Sequence, residues 1–221
     1  MSAPSWRVEL PVEGFGPATV TLPLGSSKPR PIVAVIHGAL DRAEWQCGSF
    51  RGVLGGQVFI VCPQGVARGE KFGLGTVDDT ARELRAALGA LKARYAGHVA
   101  PSPIMLIGYG EGAAHAAELA RQEPAFFARV ALVGGDPAAF TPSATTIFPR
   151  NGGKRVLFFC STTECEQTAA MRATLLTRAG ATAKAVKRDV GPFLDQRFSD
   201  ALKEDLSWLL EGDTRWPKLR R

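Results

Sequence analysis

Apolar residues fall into two rhythms along this chain. Pro31-Ile-Val-Ala-Val-Ile36 and Val58-Phe-Ile-Val-Cys62 are unbroken apolar runs, and further mostly apolar strand candidates stand at Ile104–Ile107, Arg129–Val133 and Val156–Phe159. Runs without polar alternation suit strands buried on both faces, as in a parallel sheet. By contrast, Trp6–Val12 and Ala18–Leu24 alternate polar and apolar residues across Gly14-Phe15-Gly16-Pro17, which predicts a hairpin. Thr182–Val190 is more polar and reads as an edge strand.

The other rhythm is helical. Val77, Ala81, Leu84, Leu88, Leu91 and Tyr95 form one stripe at spacings of four and three, with Asp78 and Asp79 in the first turn, where a helix dipole favours acid. Gly112–Gln122 and Glu164–Ala179 read as helices, and Phe198, Leu202, Leu206 and Leu209 give a last helix its stripe. Arg42–Leu54 predicts a short, irregular helix, and Pro137–Gly153, rich in Pro, Thr and Gly, a loose connection too short for a lid domain. Strands and helices alternate after the hairpin. That order predicts an α/β fold, a mostly parallel sheet of about eight strands with helices on both faces. No repeat or linker divides the chain. The expectation is a single domain over about 6–210 and a short basic tail at 212–221.

Ile107-Gly108-Tyr109-Gly110-Glu111-Gly112-Ala113 joins a buried strand to a helix. In that setting it resembles the Gly-x-Ser-x-Gly nucleophile elbow of the α/β-hydrolases, whose outer glycines let strand turn into helix without a clash. His37-Gly38 at the end of an apolar strand resembles the family's oxyanion loop, and the strand ending Cys62-Pro63-Gln64-Gly65, the long helix and the elbow follow in the family's order. The resemblance covers about Trp6 to Leu210. It is greatest to the small esterase and dienelactone-hydrolase-like members, which implies their fold with little or no cap.

The departures bear on function. The resemblance places the nucleophile at Gly110, which has no oxygen to deprotonate. It places the catalytic histidine near Pro192, in Asp189-Val190-Gly191-Pro192-Phe193-Leu194-Asp195, and the three histidines present are His37, His98 and His115. The acid falls near Glu164, with Asp136 one strand earlier as a second candidate. Gly110, Glu164 and Pro192 are therefore expected to be vestigial positions, in a protein that binds or scaffolds and does not run serine chemistry.

The binding residues expected are His37, Gly38, Ala39, Tyr109, Gly110 and Glu111. Amides near Ala39 and Glu111 would face a small anionic ligand, while His37 shapes the loop. Glu111 and His115, four apart, share a helix face and are expected to be solvated, and His98 to be exposed. Two other readings compete. Gly108-x-Gly110-x-x-Ala113 also fits a dinucleotide fingerprint with Asp136 as the ribose acid, although that fingerprint usually opens the first βαβ unit. Alternatively the chain is a hydrolase working through an unconventional group such as Cys47 or Glu111.

Charge and cysteines add little to this picture. The net charge of +6 owes a disproportionate share to Arg215, Lys218, Arg220 and Arg221 around Trp216 and Pro217, which read as a frayed, solvated end. No basic platform appears elsewhere, so nucleic acid is not an expected partner, and no apolar run suggests a membrane span. No metal-ligand spacing accompanies Cys47, Cys62, Cys160 and Cys165, and neither metal nor cofactor is expected. The four thiols allow three pairings. Met1–Glu9 lacks a signal-peptide pattern, which favours buried free thiols and a cytoplasmic protein. A mature, exported form would instead carry disulfides, 47 with 62 and 160 with 165. Oligomeric state is not encoded in any feature of the sequence.

Overall fold

A computed structural model describes residues 5–25, 27–101, 103–191 and 194–216. All eight predicted strands enter one sheet: β1 (Arg7–Leu10), β2 (Ala18–Thr21), β3 (Ile32–Ile36), β4 (Phe59–Cys62), β7 (Met105–Tyr109), β8 (Arg129–Val133), β9 (Arg155–Cys160) and β10 (Thr182–Lys187). Their order is β1-β2-β4-β3-β7-β8-β9-β10. The predicted hairpin is present, with β1 antiparallel to β2 and β2 antiparallel to β4, and every later pairing in the sheet is parallel. A second hairpin, β5 (Val66–Arg68) with β6 (Lys71–Gly73), stands outside this sheet.

Helices cover both faces. Val33 and Val35 of β3 pack with α1 (Ala43–Leu54) and α6 (Gln196–Leu210). Their neighbours Ile32, Ala34 and Ile36 point the other way, toward α2 (Val77–Arg94), α3 (Gly112–Gln122) and α5 (Thr163–Arg178). The period of two in a strand divides one apolar run between two cores. The chain order turns around between β3 and β7: β3 leads through α1 to β4 on one side, and β7 through α3 to β8 on the other. Loops leaving the carboxyl ends of two such strands diverge and open a crevice.

Four expectations need correction. The segment 42–54 is a regular 12-residue helix. The supposedly loose 137–153 contains a 3-10 turn, Pro137–Ala139, and helix α4 (Pro142–Arg150), capped by Thr141 accepting from the Ala144 amide. Phe148 of α4 packs edge-on against Phe140, which also meets Phe158 of β9. The chain after α6 is not frayed as far as Trp216: that ring is buried, and the buried Arg129 bonds the Leu209 carbonyl at 3.0 Å and pairs with Asp213 at 3.4 Å. Pro217, Lys218, Arg220 and Arg221 lie outside the described residues. Finally, the thiols are not free. Cys47–Cys62 joins α1 to β4 and Cys160–Cys165 joins β9 to α5, with Cα–Cα distances of 6.0 and 5.6 Å. Among the described residues no helix is long and apolar enough to cross a membrane.

Candidate functional site

The turn from β7 into α3 sits at the crevice. Here Gly108 and Gly112 are required by packing. A Cβ on Gly108 would strike the Gly112 carbonyl oxygen and come within 2.6 Å of the Ala113 Cα. One on Gly112 would strike the carbonyl oxygens of Ile36 and His37, so the start of α3 lies flat on the end of β3. Gly110 is different. Its φ is +55°, in the left-handed region, but a Cβ there would meet only the Gly38 Cα, at 3.6 Å. The backbone holds this geometry by hydrogen bonds from the Gly110 amide to the Val133 carbonyl (2.9 Å) and from the Ala113 amide to the Gly110 carbonyl (3.1 Å).

Opposite lies the loop after β3. His37 is fully buried, with Nδ1 2.8 Å from the Gly38 carbonyl and Nε2 3.0 Å from the Gln64 carbonyl. A neutral imidazole has one N–H and donates to one of the two. Gln64 and Gly65 in turn donate their amides to Glu83 Oε1, each at 2.9 Å, which fastens the loop after β4 to α2. Burial pushes the Glu83 carboxyl up, and the two amide donors oppose that shift. Leu40 has a φ of 51° and is the only non-glycine with positive φ among the described residues. Such a backbone costs a bulky residue about 1–2 kcal/mol. The amides of Ala39 and Glu111 have no backbone or side-chain acceptor among the described residues.

These elements border a cleft of about 590 Å³, lined among others by Ala39, Leu40, Val66, Arg68, Leu74 and Glu111. Of the six expected binding residues, Ala39 and Glu111 line it directly. Gly38 and Gly110 lie together beside it, and the Tyr109 ring stacks over Gly38 and meets Phe198 edge-on at 6.2 Å. Burial, with Asp41 adding to it, pushes the Tyr109 phenol up. His37 lies beneath, without access to the surface.

Other candidates are not assembled there. Glu164 is exposed on the first turn of α5, beside the Cys160–Cys165 bridge. Asp136, which the dinucleotide reading needs for a ribose, accepts the Ala138 amide at 2.8 Å and caps its own turn. Pro192 lies outside the described residues. Cys47 is buried in a disulfide and has no thiol to attack with. His98 is exposed, as expected.

His115 contradicts expectation. It is buried, with Nδ1 2.9 Å from Thr80 Oγ1, and Thr80 donates its hydroxyl to the Leu74 carbonyl at 3.0 Å. That leaves Thr80 to accept from His115, so the ring braces α3 against α2. Burial lowers its pKa, and the Glu111 charge works against that shift. A histidine whose folded pKa is lowered binds protons more readily when unfolded. Its contribution is complete above about pH 6.5 and is lost as the pH falls below that value. Urea unfolding at about pH 7.5 and pH 5.5 should therefore show a loss of stability on acidification that is smaller in His115→Gln. An identical loss in both proteins would contradict this placement.

The site residues that sequence reasoning missed come from the β5–β6 hairpin, chiefly Val66 and Arg68. The glycines at 65, 69, 73 and 75 were its only sequence signal, and Gly65, Gly69 and Gly75 all have positive φ.

No protein-family model matches this sequence, and no curated protein matches it. Solved structures do. A Klebsiella pneumoniae protein assigned to the dienelactone hydrolases superposes with a TM-score of 0.66 at 15% identity, over 93% of this chain and 97% of that one. A CE1 ferulic acid esterase from Anaeromyces mucronatus gives 0.63 at 15%, over 90% and 88%. The fluorophosphonate-binding serine hydrolase FphF of Staphylococcus aureus gives 0.61 at 12%, over 93% and 96%. At such identities the likeness is one of fold, and the chain has the α/β-hydrolase fold with a mostly parallel eight-stranded sheet.

Proposed function

We propose that this chain is a non-catalytic protein of α/β-hydrolase fold that holds a small ligand carrying an anionic or carbonyl oxygen in the cleft beside Gly110. The carrying observation is Gly110 itself. It lies in a left-handed turn between β7 and α3, where the resemblance to the nucleophile elbow would put a serine, and a Cβ there would meet only the Gly38 Cα. Without an oxygen there, no acyl-enzyme can form. Glycine also relieves a strain of about 1–3 kcal/mol that a serine at such a turn must bear. The amides of Ala39 and Glu111, free of internal acceptors, remain to receive a ligand oxygen. His37 and Gly38 shape the loop that presents the first of them, and Tyr109 packs behind it. Gly110, Glu164 and Pro192 are then vestiges of a triad.

The two disulfides support an extracytoplasmic location, because reducing compartments keep such thiols apart.

Purified protein should show no turnover of p-nitrophenyl acetate or butyrate above buffer, and should be stabilised saturably by short-chain carboxylates such as hexanoate. A ligand at ten times its Kd adds about 1.4 kcal/mol, or roughly 3–6 °C in a thermal scan. Protein-dependent ester turnover that Glu111→Gln abolishes would overturn the proposal and favour a hydrolase working through Glu111.

A further inference from the structure

We infer that the cleft takes a zwitterion with an apolar body, an apolar dipeptide being the ligand that serves all of its polar groups. The inference rests on the proposal that this cleft binds without cleaving. Its basis is a pair of opposite charges that the fold leaves unspent. Arg68 projects from the β5–β6 hairpin and Glu111 from the start of α3, and both line the same cleft. Neither side chain has a hydrogen bond or ion pair among the described residues, and no ion pair joins the two. The Glu111 carboxylate acts on His115 only as a nearby charge.

The remaining acid of the cleft, Asp79, is already consumed. It closes a capping box with Thr76 and pairs with Arg82, and those bonds hold its carboxyl below the usual range. Arg68 is steered by its surroundings: its stem lies over Gly73 of the paired strand, where a Cβ would sit 3.5 Å from Arg68 Cγ. The hairpin is tied to the loop after β3 by the Phe72 amide on the Asp41 carbonyl (3.3 Å) and by Arg42 Nη2 on the Glu70 carbonyl (3.1 Å). Guanidinium, amides and carboxylate are thus set on connected walls. Leu40 and Val66, 54% and 45% exposed, add apolar surface at the mouth, and Leu74 adds it inside.

Each simpler ligand leaves something unmet. A plain carboxylate meets Arg68 and the amides but is repelled by Glu111, and a plain amine does the reverse. An apolar dipeptide serves all three groups: its carboxylate takes the guanidinium fork, its ammonium faces Glu111, and its peptide carbonyl accepts from the amides of Ala39 and Glu111. Its side chains cover Leu40, Val66 and Leu74. No bond is made or broken.

Titration calorimetry on the full chain tests this with leucyl-leucine, N-acetyl-leucyl-leucine, leucyl-leucine amide and hexanoate. Leucyl-leucine should bind, and removing either charge should weaken it by about tenfold, the scale of one hydrogen bond to a charged group. Glu111→Gln should abolish the preference for leucyl-leucine over the acetylated form, whose own affinity should rise as the repulsion on its carboxylate is removed. Arg68→Gln should do the same with respect to the amide form. Equal binding of the acetylated dipeptide, or binding of hexanoate alone, would overturn the zwitterion while leaving a binding cleft in place. Absence of heat with all four would overturn it as well. Release of free leucine, followed by chromatography, would instead defeat the non-catalytic reading beneath it.

Discussion

Gly112→Ala should destabilise the fold by about 3 kcal/mol or more, while Gly110→Ala should cost only about 1–2 kcal/mol. The two glycines stand two residues apart in one turn. Their surroundings differ. At Gly112 an added Cβ has nowhere to go, since the carbonyl oxygens of Ile36 and His37 belong to the end of a central strand and cannot rotate away. At Gly110 the only contact is ordinary, 3.6 Å to Gly38 Cα, and the cost is that of a left-handed backbone. For a chain of this length the larger loss corresponds to a fall in melting temperature of roughly 6–12 °C. Calorimetry of both variants measures it. Equal losses would mean that α3 does not lie against β3 as described. Gly110→Ser should be tolerated as well as the alanine, and should gain no esterase activity on its own, because a serine needs a base and the buried His37 and His115 are both engaged elsewhere.

Removing the Cys47–Cys62 bridge as Cys47→Ala with Cys62→Ala should cost about 3 kcal/mol, the loop-closure contribution for a span near 15 residues. The matching change at Cys160 and Cys165, which are 5 apart, should cost less, about 2 kcal/mol. Both sulfurs of the first bridge lie in the core between α1 and β4. Alanine therefore also leaves unfilled volume, which adds to the loss. Urea unfolding of the two paired variants gives the order directly. A larger loss at 160–165 would show that the second bridge does more than close a short loop.

The parts of this fold that could be read from the chain are those governed by local periodicity. Gly112–Gln122 and Arg129–Val133 have the predicted bounds because an apolar stripe or run starts and stops there abruptly. Strands β3, β4, β7, β8 and β9 were visible as runs too apolar for any half-exposed setting, and β1, β2 and β10 by their alternation or polarity. Helix α4 was not visible, although Thr141 and Pro142 form a cap and a first turn. Its middle, Thr145-Thr-Ile-Phe148, leans toward strand, and burial of Phe148 against Phe140 outweighs that preference. The β5–β6 hairpin has strands of three residues, all of β5 exposed, so no alternation marks it.

The site divides in the same way. Gly110, Ala39 and Glu111 could be found because a turn motif fixes their positions relative to a strand end. His115 was misjudged because its burial depends on Thr80, 35 residues earlier on another helix. Arg68 was missed because only the folded hairpin brings it to the cleft. The disulfides were legible as local couples, but whether the pairs close depends on α1 reaching back over β4 and α5 turning directly off β9.

The claim at the centre of this account is that the turn at Gly110 carries no attacking group. Incubation with a fluorophosphonate probe, followed by intact-mass and peptide mapping, tests it most directly. The unmodified mass should persist under conditions that label an active serine hydrolase completely. A stoichiometric adduct on any residue bordering the cleft would contradict the account.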